Sequence, residues 1–280
     1  MKSILIVGYG IVGHNLAKEL EKLNPDIYDK FKTEFNTKKN VKYDFAFICV
    51  DTPYVDKDNV CDITALLEAI VETEADILVI KSTILPGTTE WLNKHFPDKK
   101  IVFSPEFYGD TQHCNNFEFN TTAIGGNKEW CYKVQQILQE VYDARHSFRI
   151  VDSRVAEATK YVENFHLGLT VIECNSIKRM CDEIEIHYED VRELWRDVDP
   201  RAPLSHTYVY DNHPFYDSHC LNKDIRAMAY TYNIPLANFI IDLNDTYKKE
   251  FHKETKEVKK DTESDLTGLE KALSFKNIKR

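Results

Sequence analysis

The segment from His219 to Asp224 (His-Cys-Leu-Asn-Lys-Asp) places a cysteine, a lysine and an aspartate within about one helical turn. A cysteine such as Cys220 can hold an aldehyde as a thiohemiacetal, and oxidation of that adduct gives a thioester that water opens to an acid. A buried cysteine beside a solvated Lys–Asp pair is the alternative that the segment alone leaves open. The covalent reading requires a hydride acceptor, so the rest of the chain must supply a site for one.

The beginning of the chain has the pattern of a dinucleotide-binding turn. An apolar, β-branched run ends at Val7, and Gly8-Tyr9-Gly10-Ile11-Val12-Gly13 then opens an amphipathic helix. The first glycine allows a tight turn, the second lets the backbone approach a pyrophosphate, and the third lets the helix lie close to the sheet. Asp29 follows about twenty residues on, where a carboxylate binds ribose hydroxyls and repels a 2′-phosphate. The pattern predicts NAD rather than NADP, with a glycine turn that binds nothing as the alternative.

The hydrophobic pattern predicts the elements that position these residues. Up to about residue 150, buried strands alternate with helices, and the strands are predicted at Ser3–Val7, Ile27–Asp29, Asp44–Val50, Ile77–Ile80, Ile101–Phe103 and Thr121–Gly125. This alternation predicts an α/β fold, a Rossmann-like doubly wound parallel sheet. Beyond it, helical periodicity covers Val155–Arg179, Glu183–Trp195 and Lys223–Phe251. We therefore expect a NAD-binding Rossmann domain over residues 1–150, an all-α central domain with a long central helix over 151–252, and a polar tail over 253–280.

Composition narrows the class of protein. The 280 residues are 42% hydrophobic, which supplies a packed core, and the formal net charge of -10 argues against a nucleic-acid or anionic-membrane partner. The seven cysteines show no CxxC spacing, so no metal site and no disulfide framework is indicated. No apolar run has the length of a membrane span, and the first strand leaves no room for a signal peptide. The expected compartment is the cytoplasm.

Six segments, taken in order, resemble the UDP-glucose/GDP-mannose dehydrogenase family, most closely its UDP-glucose 6-dehydrogenases. They are Gly8–Gly13, Cys49-Val50-Asp51-Thr52-Pro53, Ser82-Thr83-Ile84-Leu85-Pro86-Gly87-Thr88-Thr89, Ser104-Pro105-Glu106-Phe107, Glu157-Ala158-Thr159-Lys160-Tyr161-Val162-Glu163-Asn164 and Cys220-Leu221-Asn222-Lys223-Asp224. Any one of these is a weak signal. Six in the family's order and at about its spacing form a strong one, which extends from the start of the chain to about Asn244.

The resemblance implies a role for each matching residue. Cys220 matches the nucleophile, Lys160 and Asn164 match the pair that stabilises the oxyanion at the sugar C6, and Asp224 matches the aspartate that positions and activates water. Glu106 matches the glutamate of thioester hydrolysis, and Thr83 matches a threonine that holds a nearby water. The expected cofactor-binding residues are Gly8, Gly10, Ile11, Val12, Gly13, Asp29, Cys49, Val50, Thr52, Ser82 and Thr83. The expected substrate-binding residues are Glu106, Phe107, Tyr108, Lys160, Asn164, Phe215 and Cys220.

Spacing supports part of this assignment. Lys160 and Asn164 are four residues apart, so on a helix they share one face, and a cation with an amide donor is what an alkoxide requires. Each residue also has a structural alternative. Lys160 could be a solvated helix residue, Asn164 a packed polar group, and Glu106 or Thr83 a helix cap. Thr52 and Ser82 could shape backbone turns rather than contact the cofactor.

The sequence departs from the family in two respects. The glycine-rich loop that precedes the family's cysteine is replaced by Pro214-Phe215-Tyr216-Asp217-Ser218-His219, which removes close backbone approach and adds the charge of Asp217. Asp110 stands where the family tends to have a second glutamate. The chain also stops soon after the helical region, so we expect it to lack the family's C-terminal nucleotide-binding domain. Less remote binding energy would then be available to position the sugar.

The leading hypothesis is NAD-dependent oxidation of a nucleotide sugar, of the UDP-glucose to UDP-glucuronate type, by two hydride transfers through a Cys220 thiohemiacetal and thioester. A compact β-hydroxyacid dehydrogenase with one hydride transfer is an alternative, and so is a degenerate NAD-binding paralogue without turnover. Apolar residues on more than one face of the long helix predict a homodimer; they are Val162, Phe165, Leu169 and Ile172.

Overall fold

The computed structural model of the protein describes residues 2–36, 41–55, 60–107, 120–199, 209 and 213–257. The chain divides into two compact units, Met1–Glu163 and Asn164–Arg280. This division falls inside a long helix, whereas the sequence predicts a change of domain at about residue 150. The predicted domain boundaries therefore stay a prediction, and the tail beyond residue 257 lies outside the described residues.

The first unit contains a seven-stranded sheet and a separate two-stranded sheet. The strands are β1 Ile4–Val7, β2 Asp26–Tyr28, β3 Tyr43–Ile48, β4 Tyr54–Val55, β5 Val60–Cys61, β6 Ala75–Ile80, β7 Ile101–Phe103, β8 Thr121–Gly125 and β9 Ser147–Val151. The seven-stranded sheet has the order β2-β1-β3-β6-β7-β8-β9, and β4 pairs with β5. Neighbouring strands of the sheet are parallel except β7 and β8, which run antiparallel. The predicted Rossmann-like fold is confirmed, with one antiparallel step that the sequence did not predict.

Helices lie between several strands of the first unit, and every element described in the second unit is helical. They are α1 Ile11–Glu19, α2 Thr64–Glu72, α3 Thr88–His95, α4 Lys128–Leu138, α5 Ser153–Glu183, α6 Tyr188–Val198, α7 His219–Tyr232 and α8 Pro235–Glu257. One-turn 3-10 helices follow α1 at Glu21–Leu23 and β2 at Thr33–Phe35. The predicted all-α region with a long helix is confirmed, because every element described after β9 is helical.

Two apolar clusters, one on each face of the sheet, hold the first unit together. One face packs against residues such as Leu16 of α1 and Val134 of α4. The other packs against Leu66 of α2 and Leu92 of α3. A parallel sheet that is buried on both faces needs continuously apolar strands. This explains why all four residues of Ile4–Val7 are apolar and buried.

The helical prediction over Lys223–Phe251 needs a correction. The structure divides this stretch into α7 and α8, because Asn233 adopts a left-handed conformation with φ 48° and ends the first helix. Pro235 then begins the second helix, at a position where its missing N–H leaves no intrahelical bond unmade. The apolar periodicity continues through the break, and so it concealed the turn.

Within the second unit, α5 and α7 pack closely at a glycine. A Cβ atom added to Gly168 would lie 2.3 Å from Cδ1 of Ile225, which is closer than real contacts allow. The absent side chain at Gly168 therefore lets the two helices approach. This approach brings the polar residues of α5 and α7 into contact.

A buried carboxylate ties the beginning of α5 to the beginning of α3. Glu157 is fully buried, and its Oε2 accepts the Gly87 N–H at 2.6 Å. Its Oε1 accepts the Thr89 N–H at 2.8 Å and the Thr89 hydroxyl at 2.6 Å. These bonds satisfy donors at the N-terminus of α3, where Gly87 offers no side-chain cap. Burial raises the pKa of Glu157, and the hydrogen bonds offset only part of that rise.

None of the helices in the described part of the chain combines the length and the apolar character needed to span a bilayer. The six cysteines described there are thiols, and Cys220 alone among them is exposed. The described part of the chain contains no group of three or more His, Cys, Asp or Glu side chains that could hold a metal ion.

We expect Glu157→Ala to lower the free energy of unfolding by about 2–5 kcal/mol, because it leaves buried donors without acceptors and opens a cavity.

A raised pKa of Glu157 means that the folded state holds the proton more tightly than the unfolded state. The contribution of Glu157 to stability is therefore largest in acid and falls as pH rises through its folded pKa. Urea unfolding of both proteins should show a larger difference in mildly acid than in alkaline buffer. Exposed Glu140→Ala is the control, and an equally small effect of both substitutions would contradict this assignment.

Candidate functional site

The glycine turn between β1 and α1 is as tight as a dinucleotide site requires. Gly8 has φ 90°, and a Cβ atom on it would lie 2.6 Å from the Cys49 carbonyl oxygen. A Cβ atom on Gly13 would lie 2.0 Å from the Gly8 carbonyl oxygen. A Cβ atom on Gly10, by contrast, would meet nothing within 4 Å. The turn is therefore closed toward the sheet and open at Gly10, where α1 begins and its first amides can receive a pyrophosphate.

Asp29 lies just after β2 and contacts this turn. Its Oδ2 accepts the Tyr9 N–H at 2.7 Å, and its Oδ1 accepts the Phe31 and Lys32 N–H groups at 2.8 and 3.1 Å. Partial burial raises the pKa of Asp29, but these hydrogen bonds and the charge of Lys32 lower it by more than burial raises it. The pKa of Asp29 is therefore below its ordinary value. The residue that the sequence assigns to the ribose is thus a carboxylate held against the glycine turn.

The other expected cofactor residues surround the turn. Ile11 is exposed, Val12 and Val50 are half-buried, and Cys49 is buried beneath Gly8 and Gly13. Burial raises the pKa of Cys49 to about 12, so its side chain is a neutral thiol.

Two hydroxyl groups connect the loops at the ends of β3 and β6. Thr52 Oγ1 donates to the Thr83 carbonyl oxygen at 2.7 Å, and Ser82 Oγ donates to the Val50 carbonyl oxygen at 2.6 Å. Both side chains are buried, whereas Thr83 is half-buried. The structure therefore gives Thr52 and Ser82 a loop-shaping role, and a direct contact of either with the cofactor stays a prediction.

A buried lysine that the sequence analysis missed accompanies Glu106. Lys81 follows β6 directly, and its Nζ lies 3.2 Å from Glu106 Oε2, with the two side chains 7% and 11% exposed. Burial lowers the pKa of Lys81, but the nearby negative charges, Glu106 first among them, more than offset this and raise it overall. A lysine directly after an apolar strand was the available signal. Glu106 is therefore a paired carboxylate rather than a solvated surface acid.

Lys160 of α5 lies beside the next residue along this loop. The Phe107 N–H donates to Glu106 Oε1 at 2.9 Å, and the Lys160 Nζ lies 5.2 Å from the centre of the Phe107 ring. Lys160 also donates to Glu163 Oε2 at 2.6 Å. Lys160 is buried, so it is not the solvated helix residue that the sequence left open. Tyr108 and Asp110 lie outside the described residues.

In the second unit, Asn164 contacts Asp224, and both side chains are buried. Asn164 Nδ2 donates to Asp224 Oδ2 at 2.5 Å. The other oxygen, Oδ1, forms an ion pair with Nζ of the buried Lys223 at 2.7 Å, and within the described part of the chain no hydrogen bond of good geometry reaches it. Oδ1 of Asp224 thus retains capacity to accept a hydrogen bond.

Cys220 is exposed in the first turn of α7. Ser218 caps this helix, with its Oγ accepting the Leu221 N–H at 3.3 Å. The segment before the cap is fastened by buried Asn244, whose side-chain amide accepts the Tyr216 N–H at 2.8 Å and donates to the Tyr216 carbonyl at 3.1 Å. Nothing in the sequence pattern indicated this role of Asn244. The family's glycine-rich loop is thus replaced by a segment anchored through its backbone.

The structure adds the surroundings of two residues of this segment. Asp217 is not an isolated negative charge, because it accepts from Lys248 Nζ at 2.5 Å. Phe215 is buried, and its ring packs near those of His213 and Phe251. Its contact with a substrate stays a prediction.

Comparison with known proteins identifies the domains. Residues 9–146 match the NAD-binding domain of the UDP-glucose/GDP-mannose dehydrogenase family, and residues 154–246 match the central domain of that family. The two matches cover most of the chain. The first identifies the cofactor of the glycine turn as NAD, and the open approach at Gly10 fits its pyrophosphate.

Individual relatives are more distant. The chain is 25% identical over 248 residues to a UDP-N-acetyl-D-mannosamine dehydrogenase of Methanocaldococcus jannaschii, covering 79% of this chain and 56% of that protein. It is 28% identical over 217 residues to a UDP-glucose 6-dehydrogenase of Campylobacter jejuni, covering 74% of this chain and 54% of the relative. The chain thus spans about half the length of the curated relatives it matches.

The fold is similar to that of a solved UDP-glucose dehydrogenase from the hyperthermophilic archaeon Pyrobaculum islandicum. The TM-score is 0.72 at 18% identity, and the match covers 88% of this chain and 68% of that one. At this identity the likeness concerns the fold alone.

We expect Lys81→Met to lower the free energy of unfolding by about 3–5 kcal/mol, because it leaves the Glu106 carboxylate nearly buried without its cation. Lys81→Met/Glu106→Gln should recover most of that loss, since neither charge then remains. Urea unfolding of the four proteins in this cycle measures the coupling. Lys42→Met, which breaks an exposed pair with Asp76 in the same unit, should leave the midpoint nearly unchanged. Additive losses in the cycle would show that Lys81 does not stabilise Glu106.

Proposed function

Because the chain belongs to the UDP-glucose/GDP-mannose dehydrogenase family, we propose that it oxidises the C6 alcohol of a UDP-sugar to a carboxylic acid. NAD, when bound at the glycine turn, supplies the acceptor for hydride. The observation that carries the proposal is the burial of Lys160, a cation held beside the loop of Glu106 and Phe107. UDP-glucose is the first substrate to test, and UDP-N-acetyl-D-mannosamine is the second, since relatives of both names match the chain.

Lys160 and Asn164 are proposed to stabilise the negative oxygen at C6. A buried ammonium in a site with little water interacts strongly with a developing alkoxide. Asn164 supplies amide N–H donors, one of which is directed at Asp224. Both residues lie on α5, four positions apart in the sequence.

Cys220 is proposed to hold the carbon skeleton between the two oxidations. Its sulfur forms a bond to C6 of the aldehyde, and the carbonyl oxygen takes up a proton to give a thiohemiacetal. Loss of hydride from C6 and of the hydroxyl proton leaves a thioester. Water then adds to C6, the C–S bond breaks, and the sulfur leaves as the thiolate. The exposure of Cys220 and its position at the positive end of α7 support this role.

Asp224 and Glu106 are proposed to handle the proton and the water. Asp224 Oδ1 can accept a hydrogen bond from a hydroxyl or a water, because among the described residues its contact is the ion pair with Lys223. Glu106 is proposed to accept a proton from the attacking water, and its ion pair with Lys81 holds the side chain in place. Thr83, half-buried at the end of β6, is proposed to hold that water.

We also propose that the chain forms a homodimer. Of the four apolar residues of α5 on which the dimer prediction rests, Val162 is 61% exposed, Phe165 and Leu169 are half-buried, and Ile172 is buried, so Val162 is the position proposed to meet a partner. Light scattering at micromolar concentration should give twice the mass of the chain. A monomer under those conditions would contradict the proposal, and Val162→Glu should shift a true dimer toward monomer.

The roles of Cys220 and Lys160 predict different effects of their substitution on product formation. Cys220→Ser should abolish release of the acid but permit a slow first oxidation, because that step needs no thiol. Lys160→Ala should slow both oxidations by about 10²–10³-fold, since it removes the charge opposite the oxyanion. Chromatography of nucleotide-sugar products, alongside NADH absorbance, separates the two effects.

Cys61→Ser, which alters a cysteine outside the proposed machinery, is the matched control and should retain acid formation. Full acid production by Cys220→Ser would show that the cysteine is structural. The compact hydroxyacid dehydrogenase hypothesis would then become the better account.

A further inference from the structure

The cation proposed to stabilise the oxyanion has a carboxylate partner that the family resemblance does not assign. Lys160 Nζ donates to Glu163 Oε2 at 2.6 Å, across three positions of α5. The two side chains are 9% and 29% exposed, so the lysine is nearly buried while its partner reaches solvent. This contact is short enough for a charge-assisted hydrogen bond. We propose that Glu163 is the positioning residue of Lys160, an inference that rests on the proposed function.

The surroundings of Lys160 explain why it needs a second fixed point. On one side, its ammonium lies 5.2 Å from the Phe107 ring centre, a contact that attracts the cation but sets no direction for its N–H groups. On the other side, Glu163 accepts a directed hydrogen bond. Glu157, one turn earlier on the same helix, fixes α5 at the N-terminus of α3. The Phe107 ring, the Glu163 carboxylate and the anchored helix together restrict the orientations open to the ammonium.

Two physical effects of Glu163 oppose each other. Its negative charge partly cancels the field of Lys160 at a neighbouring oxyanion, which weakens stabilisation. Its hydrogen bond restricts a flexible four-carbon side chain and leaves two N–H donors directed elsewhere, which favours a productive geometry. A misplacement of about 1 Å can reduce a rate by about 10²-fold. The effect of orientation is the larger of the two here. Glu163 is 29% exposed, so water screens its charge, whereas Lys160 is only 9% exposed.

The kinetic test compares two substitutions at this position. Glu163→Ala removes the hydrogen-bond acceptor and should lower kcat by about 10–100-fold with KM for the UDP-sugar within about twofold, because orientation acts on the transition state rather than on binding. Glu163→Gln keeps an acceptor oxygen without the charge and should restore kcat to within about fivefold of the wild type. Asp182→Ala is the matched control, since it breaks an ion pair with Lys178 on the same helix. This control should not change kcat.

A kcat of Glu163→Ala equal to or above the wild-type value would overturn the proposal, because Glu163 would then have no effect on kcat or would lower it. A drop of the same size in Asp182→Ala would also overturn it, by assigning the effect to helix stability. Rescue by Glu163→Gln with loss in Glu163→Ala is the supporting pattern.

A second measurement does not depend on activity. Thermal melting of the wild type, Lys160→Met, Glu163→Ala and the double variant should give non-additive shifts in Tm, because each single variant leaves the other charged partner unmatched. Additive shifts would overturn the pairing itself. Non-additive shifts with unchanged kcat in Glu163→Ala would overturn only the positioning role. A wild type that forms no NADH with any UDP-sugar would overturn the proposed function, and with it this inference.

Discussion

The hydrogen bonds of the buried Glu157 carboxylate are the interaction on which the position of Lys160 depends. The carboxylate is fully buried, and it supplies acceptors to the amides that begin α3. A helix end without partners for these donors would be unstable inside a protein, so α3 and α5 are obliged to meet at this point. Lys160 follows one turn later and consequently occupies a fixed place beside Phe107. Glu157 thus fixes α5 against α3, and this contact determines where Lys160 lies.

Each charged group proposed to act on the substrate is held by another charged or polar group. Lys81 holds Glu106, Glu163 holds Lys160, and the second unit has its own set in Asn164, Lys223 and Asp224. Buried charges persist only when they are paired or hydrogen-bonded, and the pairing leaves fewer orientations for each side chain. Preorganised charge of this kind is what an enzyme needs when negative charge develops on the substrate oxygen. The pairs therefore serve stability and the proposed chemistry together.

The sequence predicted what short-range patterns determine. The apolar run Ile4–Val7, the glycines at 8, 10 and 13 and the long periodic stretch after residue 150 indicated the sheet, the NAD turn and the helical region. The sequence did not predict the antiparallel step between β7 and β8 or the break at Asn233, because neither interrupts the hydrophobic pattern. It also missed Lys81, Glu163 and Asn244. Their roles come from contacts, and a charged or amide residue has the same appearance in a sequence whether it is paired or solvated.

The departures from the family have a partial physical explanation. Asn244 fastens the backbone at Tyr216, and Lys248 neutralises Asp217, so the segment that replaces the glycine-rich loop is ordered and carries less charge than its sequence suggests. The most direct test of the account is the number of NADH molecules formed for each UDP-sugar consumed, measured by absorbance and by chromatography of the same reaction. The account predicts two NADH and one uronic acid per sugar. One NADH per sugar, with an aldehyde or ketone as the product, would contradict it.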